Sequence, residues 1–198
     1  MRKVVLFAED YGHEEFIRPL AARLAREAGV EMRFMSRSVR GGPRKTLVEL
    51  KDFLDDLDRE RETLPDLLIV SADADCSRYS RRKKELEGVT GKYRWPVISA
   101  IPDPHIEQWL LADPSAFKAI LGTRCDAPSQ KCSRDKYREL LRQAMRSAGI
   151  SPPLAGLEFA ADLAGAMDLE YAGRADRSLG RFLKELRGKM KQWGETLA

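Results

Sequence analysis

Leu67-Leu68-Ile69-Val70-Ser71-Ala72-Asp73-Ala74-Asp75 is the stretch on which the architecture turns. Leu67 to Ser71 (LLIVS) is a short apolar run, introduced by Pro65, with no polar alternation until its end. Bounded this way it reads as a strand rather than a helix, and lack of alternation is the mark of a strand covered on both faces. The two aspartates follow immediately, so the reading of this stretch sets both the fold and the place to look for chemistry.

Working outward, Lys3–Phe7 (KVVLF), Glu31–Met35 and Val97–Ile101 (VISAI) read as three further strands. Between the first two, Phe16, Ile17, Leu20, Ala21, Leu24 and Ala28 recur at steps of three and four, predicting an amphipathic helix over Glu14–Ala28 that Gly29 closes. Arg40-Gly41-Gly42-Pro43 reads as a flexible basic loop. Thr46-Leu47-Val48-Glu49 is a capping box whose helix runs to about Glu62. Asp103 as N-cap and Pro104 as first helical residue predict a helix through Leu111. Strands alternating with helices over residues 1–116 mean an α/β domain with a parallel, Rossmann-like sheet flanked by helices. Beyond Asp113 strand signals stop. Ser133–Ala148, Leu154–Met167 and Ser178–Trp193 read as helices, so residues 117–198 form a helical C-terminal extension packed on the sheet domain.

Composition bounds the function classes. The 198 residues are 33% charged and 43% apolar, which excludes a disordered chain. A chain of this length buries about 70% of its unfolded surface and needs no staples. Three cysteines, Cys76, Cys125 and Cys132, form no CxxC pair and sit at no zinc-type spacing. The longest apolar runs, such as Val4–Ala8, are too short for a bilayer, and Glu9 and Asp10 cut the first one below a signal-peptide core. A cytoplasmic protein with no membrane role is expected. No P-loop, no nucleophile elbow and no Cys–His pairing is present.

The net charge is +4, but its distribution says more. Residues 1–116 carry 20 basic and 21 acidic side chains, whereas residues 117–198 carry 15 and 10. Arg78, Arg81, Arg82, Lys83 and Lys84 form a compact basic run after the aspartates, and Arg37, Arg40, Arg44 and Lys45 a looser one. Such clusters suit a phosphate backbone or, equally, a solvated face.

Carboxylates stand at the carboxyl ends of three expected strands: Glu9 and Asp10, then Asp73 and Asp75, then Asp103 and Glu107. Ligand crevices of open α/β sheets lie at those ends. Residues two apart in extended chain point the same way, so Asp73 and Asp75 present their carboxylates together. Glu14, at the start of the first helix, leans back towards Glu9. Carboxylates converging without histidine or cysteine suit a hard, oxygen-loving cation, Mg²⁺ or Mn²⁺. His13 reads as an exposed loop residue, His105 as structural or exposed, and Trp109, Leu110 and Leu111 as core.

A glutamate after the first strand followed by Asp-x-Asp after the third resembles the Toprim domain of topoisomerases, primases and OLD-family nucleases. Ile101-Pro102-Asp103-Pro104-His105-Ile106-Glu107-Gln108-Trp109 is similar to a stretch of small bacterial Toprim-like proteins. The likeness covers roughly residues 3–120 and departs from the family at Asp10, where glycine is usual. It implies Glu9, Asp73 and Asp75 as catalytic residues, with Glu14 and Glu107 completing a set of metal ligands for two ions. It implies a nuclease that cleaves phosphodiester bonds of nucleic acid, DNA ahead of RNA, serving with an ATPase partner against phage or mobile elements. A homo-oligomer is compatible with the sequence. A non-catalytic Toprim-like binding or regulatory subunit is the alternative, with another Mg²⁺ enzyme such as a phosphatase behind it.

Overall fold

The computed structural model describes residues 1–39, 42–59, 64–126, 134–150 and 157–195. Four strands form one sheet: β1 (Arg2–Ala8), β2 (Met32–Ser38), β3 (Leu67–Ser71) and β4 (Val97–Ala100). Their order is β2-β1-β3-β4 and every pairing is parallel, with Val4 beside Leu67 and Ser71 beside Ala100. The apolar runs are strands for the reason the sequence suggests: β3 is buried along its whole length.

Helices cover both faces. Val4, Leu6, Ala8, Leu67, Ile69, Ile98 and Ala100 point into one core with α1 (Tyr11–Glu27) and the C-terminal helices. Val5, Phe7, Leu68 and Val70 point the other way, against α2 (Gly42–Arg59) and α3 (Tyr79–Thr90), through Leu50, Leu54, Leu57 and Leu86. This is an α/β sandwich of Rossmann-like design. Each fully buried Leu or Phe contributes about 1.5–3 kcal/mol relative to an exposed one.

Two short helices, α4 (Ile106–Leu110) and α5 (Pro114–Leu121), follow β4. Then come α6 (Arg134–Ser147), α7 (Ala160–Ala166), α8 (Leu169–Ala175) and α9 (Arg177–Glu195). Leu141 and Met145 of α6, Leu163 of α7 and Phe182, Leu183, Leu186, Met190 and Trp193 of α9 join the same core as the sheet residues, and Trp109 stacks on Phe182 at 5.6 Å. The C-terminal helices therefore complete one layer of the sandwich.

Several boundaries differ from the sequence reading. Helix α1 starts at Tyr11, because Asp10 is its N-cap and accepts from the His13 N–H at 3.2 Å. The acidic residue in place of the expected glycine thus has a capping role. Gly42 and Pro43 open α2 rather than belonging to a loop, whereas Arg40, Gly41 and Glu62 lie outside the described residues. Helix α4 begins at Ile106, not at Pro104. The Asp75 N–H donates to the Pro104 carbonyl and the Ala74 N–H to the Pro102 carbonyl, which keeps residues 102–104 alongside the β3 exit. Helices α3, α5 and α8 were not expected.

Candidate metal centre at the strand ends

The carboxyl ends of β1, β3 and β4 carry the polar residues of the sheet core. Glu9 leaves β1 with its N–H on the Ser71 carbonyl, and its Oε2 accepts from the Asp73 N–H at 2.8 Å. Burial pushes the Glu9 carboxyl above its ordinary value; His13 opposes that shift and Asp73 and Asp75 add to it.

Asp73 is the hub and is fully buried. Its Oδ1 accepts from the Ile106 N–H at 2.9 Å, so it caps α4 from the turn that follows β3. The same oxygen lies 3.1 Å from His13 Nε2, a charge contact rather than an aligned hydrogen bond. Its Oδ2 lies 3.3 Å from His105 Nδ1, which also stands 3.5 Å from Asp75 Oδ1. Asp75 is partly exposed, and Arg82 Nη2 reaches its other oxygen at 3.2 Å.

His13 is buried on the first turn of α1, contrary to the expected exposed loop position. Ser71 Oγ is 2.6 Å from His13 Nδ1, and the Ser71 hydroxyl donates to the Ala100 carbonyl at 3.1 Å. A hydroxyl with its proton committed to a carbonyl accepts from the imidazole, so Nδ1 carries a proton while Nε2 faces a carboxylate. That arrangement is an imidazolium. Burial alone would lower its pKa, but Asp73, with Asp10 and Glu9 behind it, raises it to about 9. His105 is also buried, at the N-cap of α4, with Tyr137 of α6 edge-on to its ring at 6.2 Å.

Asp75 and Arg78 both hold positive φ, +48° and +72°, in the turn between β3 and α3. A residue without glycine's freedom costs about 1–3 kcal/mol in such a conformation. Here it aims Asp75 back at His105.

Among the described residues, Asp73, Asp75 and His105 are the group whose ligand atoms converge, all within 4.8 Å of one another. Two carboxylates and an imidazole fit one divalent first-row ion, Mn²⁺ better than the oxygen-preferring Mg²⁺. The other expected ligands are placed differently. Glu9 touches the cluster through the Asp73 backbone. Glu14 is half-buried on α1, outside the converging group, near Tyr11, whose hydroxyl is raised by Glu15 and then Glu14. Glu107 is buried, with Oε1 2.8 Å from Arg138 Nε on α6.

The basic run also divides. Arg82 is buried and its Nε donates to the Asp73 carbonyl at 2.7 Å, so it braces the aspartates and presents nothing to a polyanion. That corrects its assignment as a nucleic-acid contact; the cause is that α3 turns this position inward. Arg81 is exposed and pairs with Glu85, Lys83 stands 3.8 Å from Glu87, and Arg78 and Lys84 are exposed. Sequence reasoning favoured an exposed position for His13 and a structural or exposed one for His105, and took Arg82 for a phosphate contact, so it did not place them against the aspartates. A signal for His13 was present: residues 13, 16, 17 and 20 share the apolar spacing of α1.

Comparison with protein-family models, curated proteins and solved structures finds no match. Among the described residues no helix is long and apolar enough to cross a membrane.

Proposed function

We propose that the chain is a divalent-metal-dependent nuclease of Toprim-like type, acting on the phosphodiester bonds of nucleic acid, DNA in preference to RNA. The observation that carries this reading is the convergence of Asp73, Asp75 and His105 at the carboxyl ends of β3 and β4, with Asp75 partly open to solvent. A bound ion supplies Lewis acidity to a phosphate oxygen and a more acidic water. Asp73 and Asp75 each offer it one carboxylate oxygen, and His105 offers Nδ1. Glu9 fixes the Asp73 backbone, His13 balances the Asp73 charge, and Arg82 holds Asp75. Arg78 and Arg81, on the next turn, attract the phosphate. A cytoplasmic location, an ATPase partner and a role against phage or mobile elements extend the proposal through the resemblance alone.

One observation favours the second reading, a non-catalytic binding or regulatory subunit. Both oxygens of Asp73 already have protein partners. Purified protein incubated with supercoiled plasmid in Mn²⁺ and then Mg²⁺ separates the two. Nicking that Asp75→Asn and His105→Ala both lose supports the nuclease. Equal nicking by all three, or none under either ion, favours the binding subunit.

A further inference from the structure

Helix α9 and helix α3 pack on opposite faces of the sheet, yet both flank β4, and beside that edge they meet. The Arg181 guanidinium lies over the Tyr79 ring at 4.5 Å, and Lys83 Nζ stands 4.0 Å from Glu185 Oε1. Tyr79 opens α3 and follows Arg78 directly, in the turn that begins at Asp75. The positive charge after the aspartates therefore continues onto the C-terminal helix. Arg181 and Lys184 are three residues apart on α9 and share a face. Lys184 in turn lines a groove of about 330 Å³ between α8 and α9, with Arg174, Arg187 and Glu170 around it. Glu170 is taken by Arg187. Arg78, Arg181 and Lys184 are exposed and pair with no carboxylate among the described residues.

Three unneutralised cations in a row, one resting on an aromatic ring, suit a chain of regularly spaced phosphates with bases able to stack. We propose that Arg78, Arg181 and Lys184 form a track for the backbone of nucleic acid, leading from the Asp75 turn to the α8–α9 groove. The proposal rests on the nuclease reading and deepens it, since it makes the C-terminal helix the element that holds the strand. A guanidinium already held over Tyr79 loses less freedom when a phosphate or base meets it.

Anisotropy of labelled single-stranded DNA, duplex DNA and RNA tests this, with the full chain carrying Asp75→Asn so that cleavage does not intervene. Charge reversal at both α9 positions, Arg181→Glu with Lys184→Glu, is expected to weaken binding about tenfold or more. The slope of log affinity against log salt should fall by about 2 for the preferred nucleic acid. Arg33→Glu, on exposed β2 at the far edge of the sheet, should leave both unchanged, and circular dichroism checks each fold. Which nucleic acid shows the loss identifies the strand the track fits. Unchanged affinity and slope in the double variant overturn the track, while metal-dependent plasmid nicking by the native chain would still uphold the nuclease. Absence of binding to all three nucleic acids also overturns the track, while the nuclease reading stands or falls on metal-dependent plasmid nicking by the native chain. Loss of capture by phosphatidylserine vesicles with nucleic-acid binding intact would also overturn it, assigning the row to an anionic surface.

Discussion

Glu9 Oε2 accepts the backbone N–H of Asp73 at 2.8 Å, tying the end of β1 to the turn that leaves β3. Both groups are buried, so the bond is part of what places Asp73 between two histidines. Its consequences are measurable.

Removing the acceptor strands a buried donor, which costs about 1–3 kcal/mol. Glu9→Ala should therefore lower the thermal midpoint, whereas Glu9→Gln keeps an oxygen in place. Because burial raises the Glu9 pKa, its neutral form is favoured in the folded chain. Its contribution is full below the unfolded value of 4.5 and falls as pH rises past it. Glu9→Gln should then melt at or above wild type near neutral pH in metal-free buffer. A Gln variant as weak as Ala would refute the hydrogen-bond account.

The His13 imidazolium gives the opposite kind of pH signature from a salt-bridged carboxylate. Its folded pKa is raised from 6.5 to about 9, so its stabilisation is complete below about 6.5 and is lost as pH climbs through about 9. NMR titration of the metal-free protein should show one histidine protonated well above neutrality. His13→Leu leaves the buried Asp73 charge without this cation and should cost about 3–5 kcal/mol. A His13 midpoint near 6.5 would contradict the assigned protons.

Divalent-ion stabilisation should distinguish members of the cluster by burial. Ion at 100 times its dissociation constant adds about 2.7 kcal/mol. Asp75→Asn and His105→Ala are expected to abolish the rise in melting temperature with Mn²⁺. Asp75→Asn, at a partly exposed position, should disturb the metal-free protein less than Asp73→Asn, which weakens the cap of α4 as well. Calorimetry with Mn²⁺ and Mg²⁺ reads the ion preference directly, and a stronger response to Mg²⁺ would argue against His105 as a ligand.

The α8–α9 crossing makes a purely structural prediction. A Cβ on Gly180 would overlap the Gly173 carbonyl oxygen. Gly180→Ala should force the helices apart at a cost of about 1–3 kcal/mol, whereas Gly188→Ala, which meets nothing, should be neutral or stabilising. Chemical denaturation of the two variants compares them.

Much of the sheet was legible because its signal is local. LLIVS forms β3 over the same residues that the apolar run suggests, and the α1 face follows from a spacing of three and four. Helix α3 escaped because its face buries only Arg82, Leu86 and Thr90, a pattern that resembles a charged loop. In the expected Ser178–Trp193 helix, Phe182, Leu183, Leu186, Met190 and Trp193 recur at helical spacing, and they are core.

By itself the sequence determined that three apolar runs and the alternating Glu31–Met35 segment become strands, and that Glu9, Asp73 and Asp75 follow two of the apolar runs. Those features depend on burial and chain geometry over a few residues. Only the tertiary structure decided which groups the carboxylates meet. His13, His105 and Arg82 reach Asp73 and Asp75 because β3 pairs between β1 and β4 and because α3 turns one arginine inward. Strand order is a long-range choice, and electrostatic partnership falls off within a few ångströms. No local pattern could therefore show that Glu107 would be drawn to Arg138 while a histidine took the place beside Asp75.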